Sequence, residues 1–237
     1  MVRTLSVAAT TKQQLGGLAD EWPVGACRDA KHHPPPVHRE GDGQALLMIR
    51  MATPDDAGAI ADIYAPYVRD TVISFESVPP TVDEMRSRLT ATLGQLPWLV
   101  VSEGDAVRGF AYASPHGERA AYRWSVDVSL YLGRPLHRQG HGRRVYTALF
   151  NLLAAQGYVN AYAAIALPNP ASVGLHEAMG FTRVGVFGGV GFKNGEWWDV
   201  GWWHRLLVDR PAEPSDPRPW SELPASAIEG ALAGHAG

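Results

Sequence analysis

The sequence predicts an α/β fold in one main domain, with strands and helices alternating over residues 48–208. Three observations carry this. Within that stretch apolar residues recur at strand spacing and helix spacing by turns. The chain of 237 residues is 46% hydrophobic and 19% charged, a composition with enough apolar surface for a core. The flanks, 1–47 and 209–237, sustain neither period.

Met48-Ile49-Arg50-Met51 is a short strand. Thr53 then caps a helix that has Pro54 at its first position, and Ile60, Ile63, Tyr64 and Tyr67 form its apolar face. A second helix starts at Thr81, with Glu84 at capping-box spacing. The runs 98–101 and 107–112 flank Glu103-Gly104-Asp105, a loop that suits a β-hairpin. The strand over 124–132 alternates Val126, Val128 and Leu130 against Ser125, Asp127 and Ser129. A helix over 140–156 ends at Gly157, and strand 161–167, helix 171–179 and strands 181–187 and 197–207 complete the set.

The first flank balances Arg3, Lys12, Arg28, Lys31 and Arg39 against Asp20, Glu21, Asp29, Glu40 and Asp42. It also holds Lys31-His32-His33-Pro34-Pro35-Pro36, which cannot continue a helix or a central strand. Residues 1–47 are therefore expected to be a disordered N-terminal extension, with His32, His33 and His38 solvated rather than ligating a metal. Residues 209–237 carry Pro211, Pro214, Pro217, Pro219 and Pro224 and read as a Pro-rich flexible tail.

A net charge of −3 lacks the clustered cations that nucleic-acid binding needs, which leaves a small-molecule partner. Cys27, the single cysteine, excludes a disulfide framework and a zinc site of cysteine pairs. No run reaches the roughly 18 apolar residues of a membrane helix, and the N-terminus lacks a signal-peptide pattern. The expectation is a cytoplasmic protein with no membrane, nucleic-acid or metal partner.

The most informative segment is Gly133-Arg134-Pro135-Leu136-His137-Arg138-Gln139-Gly140-His141-Gly142-Arg143-Arg144, between a strand and a helix. A glycine-containing loop ahead of a helix lets N–H groups converge on an anion, and the helix dipole adds positive potential. Arg138, Arg143 and Arg144 sit where a helix without an anionic ligand would place acids. The segment reads as a phosphate cradle. No Gly-Lys-Ser/Thr follows, and the glycine spacing is not the dinucleotide fingerprint. Asp127 in mid-strand is either functional or paired with an arginine, because an unpaired buried carboxylate is costly.

His137-Arg138-Gln139-Gly140-His141-Gly142 resembles the Gln/Arg-x-x-Gly-x-Gly/Ala signature of the GNAT superfamily of acyl-CoA-dependent N-acetyltransferases, with His137 departing from it. Asn169-Pro170-Ala171-Ser172 followed by His176-Glu177-Ala178-Met179-Gly180-Phe181 resembles the second block of that family. Over residues 48–208 the chain is similar to the phosphinothricin and methionine sulfone (sulfoximine) acetyltransferase branch. That likeness rests on Tyr122-Arg123-Trp124-Ser125-Val126-Asp127, Leu167-Pro168-Asn169 and Gly191-Phe192-Lys193-Asn194-Gly195-Glu196-Trp197-Trp198-Asp199.

The resemblance implies a GNAT fold, a mixed central β-sheet with a splayed strand pair, flanked by helices. It implies acetyl-CoA as cosubstrate, held by Leu130, Tyr131, Leu132, Arg138, Gln139, Gly140, His141, Gly142, Arg143 and Asn169. Asp127 would take the amine's proton directly or through water, where relatives have a glutamate one methylene longer. His176 would replace a tyrosine near the departing sulfur, as proton donor or substrate ligand. Phe75, Arg119, Tyr122, Val128 and Ser129 would bind the substrate, a small amine, and the enzyme would be a homodimer. The tryptophan pairs Trp197-Trp198 and Trp202-Trp203 read as core and dimer packing.

Phosphinothricin-type relatives have a lysine at Gly117 and an arginine at Glu76, so Glu76 is expected to repel a phosphinate and favour sulfone or sulfoximine side chains. Two alternatives stay open: acetylation of another amine (a protein N-terminus, a polyamine, an antibiotic), or a non-catalytic acyl-CoA-binding regulator.

Overall fold

A computed structural model describes residues 47–233. The expected N-terminal extension up to residue 46, with His32, His33 and His38, lies outside the described residues. The strands are β1 (Leu47–Met51), β2 (Trp98–Glu103), β3 (Ala106–Pro115), β4 (Ser125–Leu132), β5 (Asn160–Leu167), β6 (Thr182–Lys193) and β7 (Glu196–Leu206). The helices are α1 (Ala57–Asp70), α2 (Val82–Leu93), α3 (His141–Gln156), α4 (Pro170–Ala178) and α5 (Ala225–Leu232).

The strands form one sheet of order β1-β2-β3-β4-β5-β7-β6, in which only β4 and β5 are parallel neighbours. Their pairing is short: Ser125 faces Asn160, Val126 faces Ala161 and Asp127 faces Tyr162, after which the ladder ends. Both strands continue, to Leu132 and Leu167, so the sheet parts at its centre. This is the mixed sheet with a splayed pair that the resemblance implies.

Strand alternation sorts the side chains into two layers. Val126 and Val128 pack with Val145, Tyr146, Leu149 and Leu153 of α3. The other layer joins Ile60, Tyr64 and Val68 of α1 and Leu89 of α2 to Trp98, Val100 and Phe110, with Tyr112 and Tyr131 at its margin. The sheet thus has an α1/α2 face and an α3 face.

Local chemistry sets the helix ends. Ahead of α1, the Asp56 carboxylate accepts the Thr53 N–H at 2.8 Å while pairing with Arg50 at 2.7 Å. The box at α2 forms as the spacing predicts, with Thr81 Oγ1 accepting the Glu84 N–H at 3.2 Å and Glu84 Oε2 accepting the Thr81 N–H at 2.8 Å. Gly157 ends α3 in the left-handed region at φ 98°, where a glycine carries no Cβ penalty. β6 runs beyond residue 187 to Lys193, because a register irregularity between Phe187 and Gly191 lets pairing with β7 resume.

The expected flexible tail is corrected as far as residue 233. Trp220 donates its indole N–H to the Leu93 carbonyl at 2.6 Å. The buried Gln156 amide bonds the carbonyls of Gln95 at 2.7 Å and Arg218 at 2.8 Å. Leu223 and Ala231 lie in the main core, and Ile228 and Leu232 pack against it. The prolines turn the chain back along α3, and α5 is too short, at 8 residues, to show a sustained apolar period.

Candidate active site

β4 exits through Gly133 and a 3-10 turn, Arg134–Leu136, into the loop ahead of α3. Arg138 at φ 60° and Gly140 at φ 80° are left-handed and bring the chain round to the helix start. The first amides of α3 have no acceptor within the helix, and no acid occupies its first turn. A Cβ at Gly140 would enter open space, whereas one at Gly142 would lie 3.2 Å from both Leu130 Cδ2 and Leu175 Cδ2. Gly142 therefore lets β4, α3 and α4 close together, and Gly140 leaves the concavity above the helix clear.

Side chains of the loop hold it in place. Gln139 donates to the Pro135 carbonyl at 2.6 Å, and His141 Nε2 lies 3.3 Å from Gln139 Oε1. His137 Nε2 sits 3.0 Å from the Leu132 carbonyl, to which Tyr67 donates at 2.6 Å. Arg138 and Arg143 remain exposed. Main-chain donors, a helix dipole and free guanidinium groups fit a pyrophosphate. The β4 edge beyond Asp127, freed from β5, fits an amide-bearing arm. Leu130 and Leu132 face the core, and the Tyr131 ring packs on Tyr64 at 4.9 Å and Tyr67 at 5.1 Å, so main-chain atoms are what this edge offers. Asn169 is a helix cap, its Oδ1 accepting the Ser172 N–H at 3.1 Å.

Asp127 stands at the last paired register, where the sheet parts. Its Oδ1 lies 2.7 Å from Nδ1 of His116, just beyond the end of β3. The imidazole stacks on Tyr162 at 4.2 Å and 17° and meets the edges of Tyr122 at 6.0 Å and Trp202 at 5.8 Å. The pair is accessible, with side-chain exposures of 24% for His116 and 31% for Asp127. Burial pushes the Asp127 carboxyl above the usual carboxylate range, and the hydrogen bond from His116 pulls it part of the way back. Neither His116 as this partner nor Tyr162 as its stacking surface was expected. The signal is strand period: Ser114 faces Asp127 across β3–β4, and His116 follows two residues on, on the same face.

On the same face Tyr112 stands opposite Ser129 across β3–β4, and burial pushes its hydroxyl above the usual tyrosine range. Glu76 is gripped in bidentate fashion by Arg88, at 2.7 and 2.9 Å, and accepts from Tyr64 at 3.0 Å. The expected repulsion by Glu76 is therefore corrected, because its charge is balanced within the pair. The Phe75 ring fills the space a Gly191 Cβ would take, 2.1 Å from its Cε2. Lys193, only 8% exposed, donates to the carbonyls of Val68 and Ser74, both at 2.6 Å, and ties the segment after α1 to β6.

Gly117 has a steric reason: a Cβ there would lie 2.9 Å from Tyr122 Cδ2. Tyr122 itself is 47% exposed, and Arg119 is exposed at the start of the turn Ala120–Tyr122, without an ion pair among the described residues.

Two expected site residues lie elsewhere. Val128 is buried on the α3 face, so its side chain points away from Asp127 and Ser129, and only its main chain is available to a ligand. His176 is buried on the α3 face too. Its Nδ1–H donates to the Ser172 carbonyl at 2.8 Å, and Nε2 accepts from the Tyr146 hydroxyl at 3.1 Å. Burial holds this imidazole below the ordinary histidine range, which keeps it neutral. With both nitrogens engaged, His176 joins α4 to α3, and the geometry does not present it as a proton donor.

A mixed sheet parted between its parallel strands, with an anion cradle where one of them exits, defines an acyltransferase of the GNAT class. The acetyltransferase (GNAT) domain matches residues 49–202, and the chain belongs to that family. It is 38% identical to a phosphinothricin N-acetyltransferase of Streptomyces viridochromogenes over 175 residues, 74% of this chain and 95% of the relative. It is 30% identical to an L-methionine sulfoximine/L-methionine sulfone acetyltransferase of Salmonella typhimurium over 170 residues, 71% of this chain and 98% of the relative. The crystal structure of a phosphinothricin acetyltransferase from Sinorhizobium meliloti in complex with acetyl-CoA aligns with a TM-score of 0.69 at 33% identity, covering 75% of this chain and 97% of that one.

Proposed function

We propose that the protein transfers the acetyl group of acetyl-CoA to the α-amino group of a small amino acid analogue of the phosphinothricin or methionine sulfone/sulfoximine type. The observation that carries this reading is the Asp127–His116 pair at the point where β4 and β5 part, on the strand that leads to the cradle. The named activities of the relatives supply the substrate class.

Acetyl-CoA supplies an activated acyl thioester when bound. Amides and guanidinium groups of residues 138–143 would hold its pyrophosphate, and the β4 main chain at 130–132 would align its arm. An α-amino group is mostly protonated at neutral pH and must lose a proton before it can attack a carbonyl carbon, and the Asp127–His116 pair takes that role. Arg119 and Tyr122 would engage the carboxylate of the substrate, with Phe75 and Ser129 lining its side chain.

A homodimer belongs to this reading. Phe187, Val190, Phe192 and Trp197 of the β6–β7 hairpin are 58%, 50%, 61% and 62% exposed, an apolar face suited to a second copy. Among the described residues no helix is long and apolar enough to cross a membrane, and the lone Cys27 favours the cytoplasm. The test is thiol release from acetyl-CoA across a panel of amino acids and analogues. Amine-dependent release with phosphinothricin or methionine sulfone is expected, and release with none of the panel would overturn the reading.

A further inference from the structure

The pair at the splay contains two groups able to accept a proton, and the geometry distinguishes them. We propose that His116 is the catalytic base, accepting the proton of the substrate ammonium at Nε2, and that Asp127 is its positioning residue. This rests on the acetyl-transfer reading above.

An ionised carboxylate accepts hydrogen bonds and cannot donate them, so at 2.7 Å from Asp127 Oδ1 the His116 Nδ1 carries the hydrogen. With Nδ1 as the donor to Asp127, Nε2 is the ring nitrogen left to accept a proton, and no other residue among those described bonds to it. The ring is fixed on three sides by Tyr162, Tyr122 and Trp202, and the His116 N–H is held by the Ser125 carbonyl at 3.3 Å. The titratable groups facing it are Asp127 of β4, Tyr122 of the loop and Tyr162 of β5. Among the described residues the nearby histidines are otherwise engaged. His204 Nε2 is taken up by Asn160 at 3.1 Å, and both nitrogens of His176 are engaged on the far face.

Asp127 Oδ1 is occupied by the imidazole, and Nε2 lies on the other side of the ring from that contact. An imidazole is also the stronger base of the two classes of group, which suits an ammonium substrate.

The proton balance closes. His116 Nε2 takes one proton from the ammonium, the freed nitrogen bonds to the acyl carbon, and the carbon–sulfur bond breaks with its electron pair on sulfur. The nitrogen loses its second proton as the amide forms. One of the two protons ends on the thiolate and the other reaches solvent, giving amide, thiol and H⁺ from ammonium and thioester.

The test is His116→Ala in the full chain, assayed for thiol release with and without added imidazole. The expected result is a kcat lower on the order of 10²-fold or more, an acetyl-CoA Kd like that of the unaltered chain, and partial recovery of turnover with imidazole. A merely structural histidine would not give that recovery. His116→Gln, which keeps a polar side chain against Tyr162, serves as a second variant and is expected to be as slow but not rescued. Unaltered turnover in either variant, or loss in His116→Ala that imidazole does not relieve although acetyl-CoA still binds, overturns the base assignment alone. Absence of amine-dependent thiol release by the unaltered chain overturns the acetyl-transfer reading together with it.

Discussion

Asp127 and His176 are both titratable side chains singled out from sequence, and their surroundings send them to different work. Asp127 keeps 31% of its side chain exposed and bonds an imidazole, whereas His176 is 5% exposed and spends both nitrogens on Ser172 and Tyr146. A pH prediction follows from the second. The folded protein holds His176 below its unfolded value of about 6.5, so the unfolded chain binds the proton more readily in the window between the two. The stability present above that unfolded value is lost as pH falls through it, and the loss levels off below the folded value. Thermal melts at stepped pH should show this decline in the unaltered chain and a flatter profile in His176→Gln; identical slopes would contradict it. Asp127 was legible because a carboxylate in mid-strand is anomalous by itself. The partner His116 was not, since it follows from the β3–β4 register, and neither was the pairing of Glu76 with Arg88, which lies 12 residues away on α2.

At the scale of elements, the cradle was legible down to its glycines, because positive φ and close approach leave few alternatives to glycine. Gly140 at φ 80° opens onto free space, and Gly142 is wedged between Leu130 and Leu175. Gly140→Val should therefore weaken acetyl-CoA binding about tenfold or more, through left-handed backbone strain and a side chain placed where the anion must approach. Calorimetry checks this, and an unchanged Kd would remove the cradle from the site. Helix starts at Thr53 and Thr81 were legible from capping spacing, although at the first the Asp56 carboxylate, not the Thr53 hydroxyl, bonds the backbone. The far half of β6 was not, because its glycine-rich run over 185–191 breaks the strand period before pairing resumes. The side to which Val128 turns was present in the alternation of β4, but its burial depends on α3 covering that face.

For the whole molecule, the strand–helix order and the splayed sheet were readable once the two family blocks stood in register. The C-terminal segment was not, because its anchors Trp220, Leu223 and Ala231 are few and separated by prolines. Their burial makes truncation informative at both ends. Deleting residues 215–237 should lower the melting temperature by several degrees and expose apolar core, as Leu223 and Ala231 leave it and Gln156 loses its Arg218 carbonyl. Deleting residues 1–46 should leave both melting temperature and turnover unchanged, since the family match begins at 49. A fall in either quantity after the N-terminal deletion, or none after the C-terminal one, would contradict this division of the chain.

The central claim is that acetyl transfer to an amino acid analogue runs through the Asp127–His116 pair at the parting of β4 and β5, and Asp127→Asn tests it most directly. An asparagine carries no negative charge to stabilise the imidazolium that forms when His116 takes the proton, and its amide can also meet Nδ1 as a donor, which puts the ring hydrogen on Nε2. The assay follows thiol release from acetyl-CoA with phosphinothricin or methionine sulfone, beside acetyl-CoA affinity for the same preparations. The predicted result is amine-dependent release by the unaltered chain, and in Asp127→Asn a kcat lower on the order of 10²-fold or more with Kd unchanged. Full turnover in Asp127→Asn, or no amine-dependent release by the unaltered chain, would contradict it.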